Sequence, residues 1–413
     1  MFGNVARSRL LPMSLPFRYF GAAAAFQAAA WAVLLFFPHT GSEGGLGPAF
    51  AALHLLTLGV LAMTAIGATL QLLPVATRQP VRALWAVRLV WWALVPGTAV
   101  FAAGAAMYRP AVMGAGATAV IAALAVYAVL LFRNLLGARG MPVVVAHGWA
   151  ALACLAGLAA TGLALVARYE HGIALDYTAV RSAHLVLATY GFMGLLTLGL
   201  SNFLLPMLAV APPPAQRAAL AVLGIALFAI AVACAGFARL GAIAGLAAAL
   251  THVFLIERSL RRRLRAPLGA AFLLIRVSWA CLVGSLALAA LGFPGGTLLF
   301  ALLLVPGWLL TFVLGVLSRI LPFLGSVHAS TAARGAPLVS ALTPAPLLTA
   351  HRVLHIAALA GLLAAAILGQ DWLARASAAA GLAGALAFAS FYLFVVTKVR
   401  HHALQPPHQP APA

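Results

Sequence analysis

Carboxylates are nearly missing from this sequence, which has five Asp and Glu against 25 Lys and Arg. Charged residues of both signs make up only 7% of the chain, and 65% is hydrophobic. A water-soluble protein of 413 residues cannot hide that much apolar surface, because its outside still has to face water. A soluble enzyme is therefore excluded. No Asp or Glu falls in the middle of any apolar run. Proton pumps and proton-coupled carriers usually move protons through intramembrane carboxylates, so this absence argues against such chemistry. The cysteines Cys154, Cys234 and Cys281 form no CxxC pair, which removes a disulfide framework or a zinc ribbon and leaves small apolar packing residues. No long polar segment interrupts the chain, so no soluble domain is expected.

What is present is a series of apolar runs. Each is near the roughly 20 residues needed to cross about 30 Å of hydrocarbon at 1.5 Å per residue. The expected spans are 17–37, 49–76, 83–106, 111–133, 143–167, 179–208, 216–237, 240–257, 268–293, 297–324, 346–369 and 373–397. The first has arginines ahead of it, as a signal peptide would, but its length is that of a membrane helix. The tail 400–413, rich in Pro and His, reads as disordered and cytoplasmic.

The basic residues are distributed unevenly along this topology. With the N-terminus inside, twenty of the 25 fall on the cytoplasmic side, including Arg7, Arg9, Arg334 and the cluster from Arg258 to Arg265. Arg109, Arg168, Arg181, Arg239 and Arg375 fall outside, with Glu43, Glu170, Asp176 and Asp371. Positive charge kept inside is the usual orientation signal of a bacterial inner-membrane protein, so both termini are predicted cytoplasmic. The same distribution makes the partner an anionic lipid bilayer rather than nucleic acid.

The chain also repeats itself. Three helices share Gly-x7-Gly-x6-Pro, with an apolar pair before the proline: Gly59, Gly67 and Pro74; Gly191, Gly199 and Pro206; Gly307, Gly315 and Pro322. The offsets, 132 residues from Gly59 to Gly191 and 116 from Gly191 to Gly307, each leave room for four helices. Glycines at helical spacing let neighbouring backbones approach closely in lipid, and the proline is expected to end each helix. The predicted fold is an all-α membrane protein forming a single membrane domain. It has twelve transmembrane helices in three pseudo-symmetric four-helix modules, 17–133, 143–257 and 268–397.

Ionisable groups inside a membrane are costly and point to function. His54 and His184 sit near the outer ends of the second and sixth helices. A neutral imidazole there is a good ligand to haem iron or copper, and it can equally bond a carbonyl or water. A second set lies toward the cytoplasmic side: His147, His252, His328 after the tenth helix, and His351 and His355, which share one helix face. These five are candidate metal or haem ligands, although interfacial hydrogen bonding accounts for them as well. His39 and His171, read as loop residues, and His401, His402 and His408, in the tail, are assigned no site role. Arg276 is the deepest charge. Arg319, one turn before Pro322, can snorkel to the surface or pair with an anionic group such as a haem propionate. Gln71 and Asn202 are expected to bond neighbouring backbones.

Twelve helices in three arcs, with histidines near the outer ends of helices two and six, resemble the catalytic subunit of heme-copper oxidases and nitric oxide reductases. The seventh helix lacks that superfamily's His-His pair and the tenth its His-x-His. The segments LHLLTLGVLAMTAIGATLQLLPV and SRILPFLGSVH are similar to those of a divergent branch, of the NnrS type of membrane haem protein. The resemblance implies a b-type haem, with or without copper, bound through His54 and His184 and lacking the complete binuclear centre. It also implies a respiratory or nitric-oxide-linked redox role, which makes a heme-copper oxidoreductase one reading, and a redox partner or respiratory subunit. On this resemblance His328 joins the candidate ligands. A twelve-helix secondary transporter and a non-catalytic assembly subunit stand as alternatives. The transporter fits less well, because transporters show inverted or twofold repeats with broken helices.

Overall fold

The computed structural model describes residues 10–37, 45–264, 268–292, 296–330 and 335–404. Arg7, Arg9, His39, Glu43, Arg265, Arg334 and His408 lie outside the described residues. Among the described residues there is no strand, and twelve helices are long and apolar enough to cross a membrane. They are α1 (Ser14–Phe36), α2 (Pro48–Thr77), α3 (Leu84–Ala106), α4 (Pro110–Leu136), α5 (Pro142–His171) and α6 (Tyr177–Ala209). The second half holds α7 (Gln216–Cys234), α8 (Ala238–Arg261), α9 (Ala271–Leu291), α10 (Thr297–Ala329), α11 (Ala345–Leu368) and α12 (Asp371–Leu404). The protein is thus a multi-pass membrane protein.

Several ends differ from expectation. Pro74, Pro206 and Pro322 lie inside their helices rather than ending them, and α10 continues to Ala329, which puts His328 on the helix. A proline removes one backbone hydrogen bond and disturbs the turn before it, but the residues beyond it can still propagate the helix. His171 forms the last turn of α5 rather than a loop. α12 extends through Leu404, so residues 400–404 are helical where a disordered tail was expected.

Three helices are interior. In the most apolar windows of α2, α6 and α10, 67%, 78% and 67% of residues are buried, against 17–50% in the other nine. The nine are packed around them, and α12 returns to pack on α1. The interior helices also share a feature that the sequence reading did not foresee, a π-helical segment at Leu55–Ala62, Leu187–Gly194 and Leu303–Leu310. These segments start 132 and then 116 residues apart, the same offsets as the glycine–proline pattern, and Gly59, Gly191 and Gly307 each occupy the fifth place. Such widened turns are rare and occur mostly as isolated bulges at functional sites. The segment of α10 packs against those of both α2 and α6.

The paired glycines have one structural use. Each pair abuts the first helix of its predicted module: Gly59 and Gly67 meet Phe26 and Tyr19 of α1, Gly191 and Gly199 meet Cys154 and His147 of α5, and Gly307 and Gly315 meet Cys281 and Ile275 of α9. A Cβ on Gly59 would stand 2.6 Å from Phe26 Cγ, and one on Gly199 would stand 2.5 Å from His147 Cβ. Cys154 and Cys281 are free and buried, in keeping with a packing role.

The deepest charge is neutralised locally. Arg276 of α9 donates two hydrogen bonds, of 2.9 and 2.8 Å, to the carboxylate of Glu257 on α8. Arg276 lies near the start of α9 and Glu257 near the end of α8.

The glycine contacts predict a sharp contrast. Gly199→Val forces backbone or His147 to move and is expected to cost roughly 1–3 kcal/mol by overpacking. Gly224→Ala on α7, where nothing lies within 4 Å, is expected to be neutral. Thermal unfolding of the two variants in detergent compares them directly.

Candidate functional site

The histidines fall into two groups at opposite ends of the bundle. His54 and His184 lie toward the face away from the termini. His54 is five residues before Gly59 and His184 seven before Gly191, so their registers differ by two residues. At about 100° per residue they therefore point to different sides of their helices. His54 packs toward α3, its ring 4.1 Å from Phe50 and 5.0 Å from Phe101. His184 faces α5, beside Thr161 and Gly162. α4 packs on both α3 and α5.

The hydrogen bonds determine where each proton sits. His54 Nδ1 lies 3.0 Å from the Phe50 carbonyl, which can only accept, so Nδ1 carries the proton and Nε2 the lone pair. The Thr161 hydroxyl donates to the carbonyls of Gly157 and Leu158, so His184 Nδ1–H is the donor in its 3.3 Å contact with Thr161 Oγ1. Both side chains thus have Nδ1 tied to the protein and Nε2 as the basic nitrogen. That arrangement orients an imidazole for ligation, and by donor chemistry the pair fits haem iron or copper.

The five other candidate histidines lie toward the opposite ends of their helices, and each is tied to a neighbour. His147 donates from Nδ1 to the Val143 carbonyl at 2.8 Å on α5 and packs on Gly199. His252 of α8 donates from Nε2 to Ser201 Oγ at 2.9 Å, because the Ser201 proton goes to the Leu198 carbonyl. His355 of α11 donates in the same way to Thr311 Oγ1 of α10 at 2.8 Å. His351 donates from Nδ1 to the Gly384 carbonyl of α12 at 2.9 Å, with its ring centroid 5.9 Å from that of His355. His328 Nε2 accepts from the Gln71 amide at 3.0 Å, which joins α10 to α2. Gln71 therefore bonds a side chain rather than a neighbouring backbone, and Asn202 bonds the Leu198 carbonyl of its own helix. Among the described residues no three His, Cys, Asp or Glu side chains group so as to hold a metal ion.

Arg319 does not share a site with His54 and His184. Its register equivalents are Gln71 and Phe203, while His54 corresponds to Leu302 on α10. The 17 residues from 302 to 319 amount to about 25 Å of helix.

Sequence reasoning missed a repeated polar contact. Thr69 of α2 bonds Tyr127 of α4 at 2.9 Å, and Ser201 of α6 bonds His252 of α8 at 2.9 Å. Thr69 and Ser201 are 132 residues apart, so each hydroxyl reaches a ring on the fourth helix of its predicted module. Hydroxyls at the repeat offset were the available signal. Tyr190 and Trp308, stacked at 5.6 Å on two of the π segments, had no such signal.

The chain matches no family model. No curated protein is significantly similar to it.

Because Ser201 is the acceptor for a buried His252, Ser201→Ala is expected to lower stability by about 1–3 kcal/mol. Ser201→Thr, which places the Thr69 chemistry there, is expected to keep most of it. Melting temperatures of both variants in one detergent read the difference.

Proposed function

We propose that this protein is a haem- or copper-binding protein of the bacterial inner membrane. It is a divergent relative of the heme-copper oxidases and nitric oxide reductases, similar to the NnrS-type proteins and lacking their complete binuclear centre. On this reading the twelve helices form three pseudo-symmetric modules with both termini cytoplasmic. The repeated π segments, the glycine docking and the inward bias of basic residues support that arrangement.

The observation that carries the functional reading is the position of His54 and His184 near the outer ends of two interior helices, apart from the histidine contacts that tie those helices to their neighbours. Each of these imidazoles holds a proton on Nδ1 and offers Nε2. A bound haem or copper ion would supply electron transfer and a coordination position for a small gas. The protein would orient the ligand through the Phe50 carbonyl and the Thr161 hydroxyl. Phe50 and Phe101, against the His54 ring, exclude water from it. Arg319 is too distant to bind the same group.

Protein purified from haem- and copper-replete cells is expected to show a Soret band or stoichiometric copper. His54→Ala and His184→Ala are each expected to remove or shift that signal, and His351→Ala to leave it. A colourless, metal-free protein would refute the reading.

A further inference from the structure

A cavity in the bundle lies elsewhere, and its lining contains none of the histidines. A cavity of about 260 Å³ is enclosed by α6, α7, α8, α9 and α10. Its wall on α8 is Ala238, Gly241, Ala242, Gly245, Ala248 and Ala249, one helix face made only of small residues. Ser182, Leu185 and Ala238 are exposed and form the mouth, near the face away from the termini. Leu198, Ala249 and Trp308 are buried and form the floor. From Ala238 to Ala249 the helical rise makes the cavity about 16 Å deep. The lining is almost wholly apolar, and the Tyr190 hydroxyl within it is already bonded to Ser285 at 3.2 Å.

Such a space is poor for water, which needs several polar partners. Left empty, it forfeits dispersion contacts along its whole length. Hydrocarbon is what surrounds the helices of a membrane protein, and the mouth opens at their ends. The mouth is also marked by charge. Arg181 and Arg239, adjacent in sequence to Ser182 and Ala238, are both exposed. They are two of five basic residues at a face otherwise poor in them.

We propose that this cavity binds one acyl chain of an anionic phospholipid, with the phosphate held at the mouth by Arg181 and Arg239. The chain runs along the small-residue face of α8, with α6, α7, α9 and α10 completing the wall, and ends against Trp308, beside the π segments of α6 and α10. This site does not depend on haem or copper at His54 and His184.

The test uses the full-length protein in detergent with added phosphatidylglycerol or phosphatidylcholine. Retained lipid is read by native mass spectrometry. One phosphatidylglycerol is expected to survive purification, with roughly tenfold weaker retention in Arg181→Gln/Arg239→Gln. Filling the cavity with Ala242→Leu/Gly245→Leu is expected to abolish it. In bilayers of chain-brominated phosphatidylglycerol, the interior Trp308 is expected to be quenched, and Trp308→Phe identifies its share of the emission without filling the cavity. No retained lipid, equal retention of phosphatidylcholine, or unquenched Trp308 in the unaltered protein would each overturn the proposal.

Discussion

Close approach of an interior helix to the helix preceding it, at a pair of glycines eight residues apart, is the contact on which this architecture depends. In hydrocarbon there is little hydrophobic gain from bringing two apolar helices together, so the attraction comes from dispersion and from interhelical hydrogen bonds. Both weaken steeply with distance. At Gly59, Gly191 and Gly307 the neighbouring side chain occupies the volume a Cβ would need. The same three residues sit within π segments, so the widened turns and the tight contacts coincide on one helix stretch.

Against that apolar frame the polar side chains are few; many bond the backbone of their own helix, and others bond between helices. Thr69 with Tyr127, Ser201 with His252, Thr311 with His355 and Gln71 with His328 each link an interior helix to another. An unpaired polar group is expensive in such a medium, so these contacts act as registers as much as attractions. Histidine serves as a structural partner at several of these points. That is why the count of histidines alone overstates the number of ligands. His54 and His184 differ from the others in position and in lying apart from these interior links.

The candidate ligand residues and the apolar cavity occupy different parts of the bundle. The candidate ligand pair is associated with α3 and α5, while the apolar cavity is enclosed by α6 to α10 and holds no histidine or charge.

By itself, the sequence determined the number of helices, their limits to within a few residues at most ends, and the three related interior ones. Hydropathy over 20 residues and a fixed glycine spacing are local signals that survive without any tertiary information. It also marked His54 and His184 as residues that membrane burial makes costly. Only the tertiary structure decided what each histidine touches, because partners such as Gln71 and His328 are 257 residues apart. It likewise decided that Arg319 stands far from the outer pair and that the helices run past Pro74, Pro206 and Pro322. The π segments and the cavity belong to the same class. Both arise from how neighbouring helices fit around one another, a quantity that no single stretch of sequence contains.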